Sequence, residues 1–292
     1  MYAPSFLDND KRHQASPPDF FCFIFAFNTL TSNTPSSTII TTIIAIMPKG
    51  SLNLNSTGTA LPPTAPSYPY KEDFTFSNIT LASVSYRVSA ESIAHVVPDV
   101  FELENEPLVT TVFIEYGMST VGPYTETGTL VEVIYKGEKF DFSTQLILDN
   151  EAAIFAGREV FGYPKVFGNV QFANKPGAII SAYAERPAGR KVVEFDFTPE
   201  RQLSELPKSD KRQINLRLIP SPVVGAAHTV KELVPAIMAF KSSEVWIGTG
   251  SIHFPRKSAI DKWADLNILK YEGAFLARNA TATLYGSEPL EL

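Results

Sequence analysis

Between Ile79 and Leu284 the chain repeatedly enters stretches rich in Val, Ile, Thr, Phe and Tyr, and turn residues repeatedly cut them off. This feature limits the fold more than any other. Side chains of a strand point alternately to its two faces, so such stretches read as strands. Strands are predicted over Ile79–Val88, Pro107–Tyr116, Tyr124–Tyr135, Phe140–Leu148, Val166–Phe172, Gly177–Tyr183, Lys191–Phe197, Gln213–Pro220, Ser243–Phe254 and Ala274–Leu284. In the first, Ala82, Val84, Tyr86 and Val88 share a face. Gly117–Pro123 is a loop. Lys136-Gly137-Glu138-Lys139 turns the third strand into the fourth as a hairpin, and Pro187-Ala188-Gly189-Arg190 is a further turn. Helix signals are few. Ser89 suits the cap of a short helix, Ala90–Val97, that Pro98 ends. Thr229-Val230-Lys231-Glu232 has the form of a capping box before a short helix limited by Pro235. The expected class is α+β, mainly β, in one domain over residues 71–292, with enough strands for a closed barrel.

The first 70 residues differ in kind. Phe20–Met47 carries no charge, and its two apolar pieces are separated by a polar middle with Pro35. A membrane span needs roughly 20 predominantly apolar residues, and neither piece supplies them. A signal peptide needs a basic start next to a compact apolar core, which fits poorly here. Residues 1–46 are expected to be disordered or absent from the mature product, with Met47 as an alternative start. Residues 50–70 read as a flexible linker.

Composition excludes several function classes. A net charge of −6 argues against a general nucleic-acid binder. The single cysteine, Cys22, excludes an internal disulfide framework and a multi-cysteine zinc site. His13, His95, His228 and His253 are scattered without metal-ligand spacing. No phosphate loop, dinucleotide fingerprint or nucleophile elbow is present. The expected partner is a small molecule, in a cytoplasmic protein without contact to membrane or nucleic acid.

One stretch carries chemistry. Asn150 caps a short helix, Glu151 suits its positive end, and Ile154, Phe155 and Ala156 give it an apolar body. Gly157 and Gly162 allow tight backbone, and Pro164 forbids more helix. Lys165 therefore emerges from a rigid turn between Tyr163-Pro164 and Val166-Phe167. A lysine buried among such neighbours has a lowered pKa, and its neutral amine could attack a carbonyl to form a Schiff base. The same pattern also fits a lysine snorkelling along a strand edge.

Taken together, Gly122-x-Tyr124-Thr125-Glu126, Leu148-Asp149-Asn150-Glu151-x-Ala153-Ile154, Gly157-Arg158-Glu159 and Tyr163-Pro164-Lys165 resemble the acetoacetate decarboxylase family. Tyr86-Arg87, Val96-Val97-Pro98 and Glu106-Pro107-Leu108-Val109 fit upstream. The resemblance covers roughly residues 75–285. It implies a cone-like β-barrel with flanking helices, a homo-oligomer, and a Schiff-base lysine deep in the barrel, matched by Lys165. It also implies an active-site glutamate, matched by Glu126; without the resemblance Glu126 reads as a solvated strand-face carboxylate. No metal or organic cofactor is implied. The family's usual second lysine is replaced by Val166. The expected remaining influence on the amine is desolvation by Val166, Phe161 and Phe167. A second family glutamate falls on Val112, and an arginine on Ile79. A pocket with fewer charges suits a substrate larger and more apolar than acetoacetate. The implied function is decarboxylation of a β-keto acid, in a polyketide-like setting of secondary metabolism. The alternatives are a Schiff-base aldolase-dehydratase and a non-catalytic barrel that binds a small molecule. Arg158 and Glu159 are expected to fix the turn.

Overall fold

Strands dominate because the alternating stretches pair with one another. The computed structural model describes residues 49–53, 60–69, 73–173, 178–207, 209 and 211–292. The readings on residues 1–46 lie outside these. The elements run β1 (Phe74–Val88), α1 (Ala90–Ile93), β2 (Leu108–Ser119), β3 (Tyr124–Tyr135), β4 (Glu138–Leu148), α2 (Glu151–Phe161), β5 (Lys165–Phe167), β6 (Asn169–Ala173), β7 (Ile180–Glu185), β8 (Lys191–Leu203), β9 (Arg212–Ile219), β10 (Val230–Lys241), β11 (Glu244–His253) and β12 (Ile268–Gly286). The strand order is β1-β2-β3-β4-β9-β10-β12-β11-β8-β7-β6, with β5 beside β4. A further antiparallel pairing joins β12 to β1, so the hydrogen bonds run from β1 through β2, β3, β4, β9, β10 and β12 back to β1. Among the described residues no helix is long and apolar enough to cross a membrane.

Period-two alternation sends each strand's two faces into different environments. On β1, Ala82, Val84, Tyr86 and Val88 enter one apolar core with Phe113, Val131, Val133, Phe195 and Phe197. The opposite face sends Ile79 and Leu81 to a second core with Ile114, Tyr116, Leu146, Leu148, Ala153, Ala156 and Phe161. On β4 the parity switches. Thr129 pairs with Gln145 but Leu130 with Ser143, so Thr144 is an extra residue, and such a bulge reverses which face the following side chains take.

Three predictions need correction. Residues 229–235 are not a helix: β10 runs straight through Pro235, paired to β9 from Val230 to Ala236. Its ladder with β12 begins only at Ala236, so the missing N–H of Pro235 forfeits no bond on that side. The stretch Val166–Phe172 is two strands, not one. A Cβ on Gly168 would lie 2.4 Å from Ile147 Cγ2 and 2.7 Å from the Glu185 carbonyl oxygen; there the chain leaves β4 for β7. The helix after Ser89 is also shorter, four residues followed by a 3-10 turn over Ala94–Val96, and the Ser89 side chain makes no cap bond. Within the stretch read as a linker, Ala60 and Tyr68 are buried, and the Tyr68 hydroxyl donates to Glu159 Oε2 at 2.8 Å.

Candidate active site

Helix α2 builds the site. The Asn150 side chain accepts from the Ala153 N–H at 2.9 Å, as a cap should, and its Nδ2 donates to the carbonyls of Val121 and Pro123. Gly162, at φ 71°, ends the helix in the left-handed region that glycine enters freely. The Tyr163 N–H then returns to the Gly157 carbonyl at 3.0 Å. Arg158 donates to the Lys165 carbonyl at 3.1 Å, so it fixes the turn by a backbone bond. Gly157 lies inside α2 rather than in the turn. A Cβ there would fall 2.6 Å from Lys165 Cδ and 2.8 Å from Cε, so the missing side chain is the space through which the lysine stem passes.

Parallel pairing of Lys165 with Leu146 aims both side chains to the same face. That face lines a cavity of about 910 Å³. The Lys165 amine lies 2.8 Å from Glu126 Oε2, with both side chains under a tenth exposed. The contact is an ion pair by distance, without the alignment of a hydrogen bond. Aromatic rings surround the amine: Nζ lies 5.4 Å from the Tyr124 ring centroid and 5.6 Å from that of Tyr163, and Tyr116 packs on Tyr124 at 4.5 Å. Burial, and after it the Glu126 carboxylate, pushes the hydroxyl pKa values of Tyr116 and Tyr163 up; for Tyr124 burial, then Tyr116, then Glu126 do so. All three remain neutral. The Tyr163 hydroxyl donates to Gln213 Oε1. The arrangement holds a buried amine and a proton acceptor in contact at one end of a cavity walled largely by Leu81, Val112, Ile114, Leu130, Leu146 and Phe275.

Lys165 and Glu126 are thus brought together, and Glu126 is not a solvated carboxylate. Val112 lines the cavity wall, whereas Ile79 is fully buried in the adjoining core and does not line the cavity. The expected desolvating neighbours are otherwise placed. Val166 pairs with Ile147 and packs on the other core, while Phe167 is 69% exposed. Phe161 packs against Phe74 and Tyr163 without lining the cavity. The tyrosines take that role instead. Their signal was in the sequence: Tyr124, Glu126, Gly128 and Leu130 alternate along β3 on one face.

The pattern of the family described as acetoacetate decarboxylase (ADC) matches residues 58–289. The chain belongs to the acetoacetate decarboxylase family. It is 33% identical over 237 residues to Decarboxylase DEC1 of Cochliobolus heterostrophus, spanning 79% of this chain and 94% of that one. With Acetoacetate decarboxylase of Clostridium botulinum it shares 37% identity over 108 residues, 37% of this chain and 44% of the relative. A solved acetoacetate decarboxylase aligns with a TM-score of 0.70 at 22% identity, covering 80% of this chain and 95% of that one, which shows a shared fold. Membership of the acetoacetate decarboxylase family makes the chain an enzyme of the carboxy-lyase kind.

Proposed function

We propose that the chain decarboxylates a β-keto acid through a Schiff base on Lys165, and that the acid is larger and less polar than acetoacetate, of polyketide type. The observation that carries this is the buried Lys165–Glu126 pair, 2.8 Å apart, facing a cavity of about 910 Å³. Cavities of roughly 300–1,000 Å³ take drug-sized ligands. In this reading Glu126 takes a proton from the Lys165 ammonium, and the free amine adds to the ketone. Loss of water gives the protonated imine. The bond to the carboxylate then breaks, its electron pair moves toward the imine nitrogen, and carbon dioxide leaves. The resulting enamine carbon takes a proton, and water hydrolyses the imine to release ketone and amine. The strand circuit from β1 to β12 is read as the family's cone-like barrel, with Lys165 inside it. Cytoplasmic location and homo-oligomeric assembly belong to the same proposal.

A second reading, aldol condensation with dehydration, starts from the same imine. A solved neighbour with a TM-score of 0.66 at 20% identity, covering 79% of this chain and 95% of its own, is an enduracididine biosynthesis enzyme complexed with the condensation product of pyruvate and imidazole 4-carboxaldehyde. One experiment separates the readings. A panel of 3-oxo acids of rising chain length is incubated with the enzyme, carbon dioxide is measured, and borohydride is added. Carbon dioxide release together with a reduced adduct on the Lys165 peptide is expected, and kcat/KM should rise with chain length. An adduct without carbon dioxide would favour condensation. No adduct with any acid would leave only a binding barrel.

A further inference from the structure

The wall of the cavity is apolar at nearly every strand that crosses the level of Lys165. Following the pairings from β5, Lys165 stands beside Leu146, Leu146 beside Gly128, Gly128 beside Val112, and Val112 beside Ser83. Ser83 in turn pairs with Phe275 on β12. All of these residues line the cavity. Ser83 is therefore four strand steps from Lys165, about halfway around the circuit of paired strands. Its neighbours on the strand, Ala82 and Val84, point away into the first core. Ser83 is 2% exposed and sits on the cavity wall. A second serine lies on β4, where Ser143 lines the cavity, is 1% exposed, and has a buried Oγ without a partner among the described residues. The bulge at Thr144 keeps Ser143 and Leu146 on the cavity face, so Ser143 sits toward the Asp141 and Lys211 end of the cavity, away from the amine. A buried hydroxyl left unpaired costs free energy, and a ligand that supplies its partner recovers it.

We infer that Ser83 and Ser143 determine substrate specificity by hydrogen-bonding an oxygen function on the substrate's arm beyond the reacting carbonyl. The substrate class is then a 3-oxo acid carrying a further hydroxyl or ketone, with the chain between them against Val112, Leu130 and Leu146. This deepens the Schiff-base reading and rests on it for where the reacting carbonyl sits. A site that must pair a buried polar group discriminates against an analogue that lacks the matching group.

Binding of ketones tests this without requiring turnover. A medium-chain methyl ketone and its series of monohydroxylated counterparts, one for each chain position, are titrated into the intact enzyme by calorimetry. The wild type is expected to prefer at least one hydroxylated member over the plain ketone by about tenfold, the size of one good hydrogen bond. Ser83→Ala should bring that ratio toward one at one chain position, and Ser143→Ala at a different position. No preference in the wild type, or a preference that survives both substitutions, would overturn the inference. Carbon dioxide release from the matching plain 3-oxo acid, measured in parallel, reads the decarboxylase proposal separately.

Discussion

Glu126 and Asp261 are both carboxylates removed from solvent, and they are held in opposite ways. Asp261 receives Arg186 on one oxygen at 2.8 Å and Arg190 on the other at 2.7 Å. Its backbone N–H donates to Ser258 Oγ at 3.0 Å, and Gln145, itself bonded by Trp263, approaches at 3.5 Å. Burial pushes its pKa up, but the hydrogen bonds from Arg190 and Arg186 outweigh that, and the carboxyl titrates below its ordinary range. Glu126 has one amine, poorly aligned, and a cavity beside it. A carboxylate saturated by guanidinium groups is a clasp: here it ties the segment before Trp263 to the β7–β8 turn. One that shares a single transferable proton with an amine, next to open space, is equipped for proton traffic.

The sharpest break of this comparison is at the amine. Lys165→Arg should keep a cation beside Glu126 and abolish turnover and borohydride trapping, because guanidinium stays protonated and is no nucleophile. Mass spectrometry of the trapped protein checks it. Next, Glu126→Gln should lower kcat by about 10²–10⁴, the usual contribution of a positioned acid–base group, and slow trapping on Lys165 without moving it to another lysine. The matching change at the clasp should do the reverse. Asp261→Asn should cost roughly 1–3 kcal/mol of stability, the range for hydrogen bonds to charged groups whose arginine partners are part-exposed, and alter kcat far less than Glu126→Gln. The sign with pH follows from the lowered carboxyl. Stability from Asp261 is fully present above its unfolded pKa, about 3.9, and is lost as pH falls through the lower folded value. Acid melts of the two proteins should therefore converge at low pH.

Gly157→Ala should reduce kcat by about 10²-fold, since displacement of a reacting group by about 1 Å is enough for that loss. Any change in melting should be modest, because alanine favours the helix by roughly 0.5–1 kcal/mol over glycine and offsets part of the clash. Unchanged kcat would mean that the lysine stem has room to move. The smallest effect is expected at Val166. Its side chain faces away from the cavity, so Val166→Lys should shift the pH profile of kcat/KM little. A clear downward shift would show that a cation on that face still reaches the amine through the strand.

Some of the structure was legible in residues because local rules decide it. The cap at Asn150, the stop at Gly162 and the strand Tyr124–Tyr135 follow from side-chain bonding, backbone freedom and alternation within a few residues. The pairing of Lys165 with Glu126 was implied only by family resemblance, since their contact depends on β5 lying beside β4 and β4 beside β3. Local signals failed where distant pairing outweighed them. Thr229–Glu232 reads as a capping box, yet hydrogen bonds to β9 hold that segment extended. Val166 is adjacent to Lys165 in sequence and reads there as part of its surroundings. In a strand, however, adjacent side chains point to opposite faces, and the pairing partner determines which face meets the cavity. The sequence by itself determined the β class, the helix that carries the turn and the chemical identity of the amine. Only the tertiary structure decided what surrounds that amine. Glu126 and Tyr124 reach it across strands, through register that no single stretch encodes.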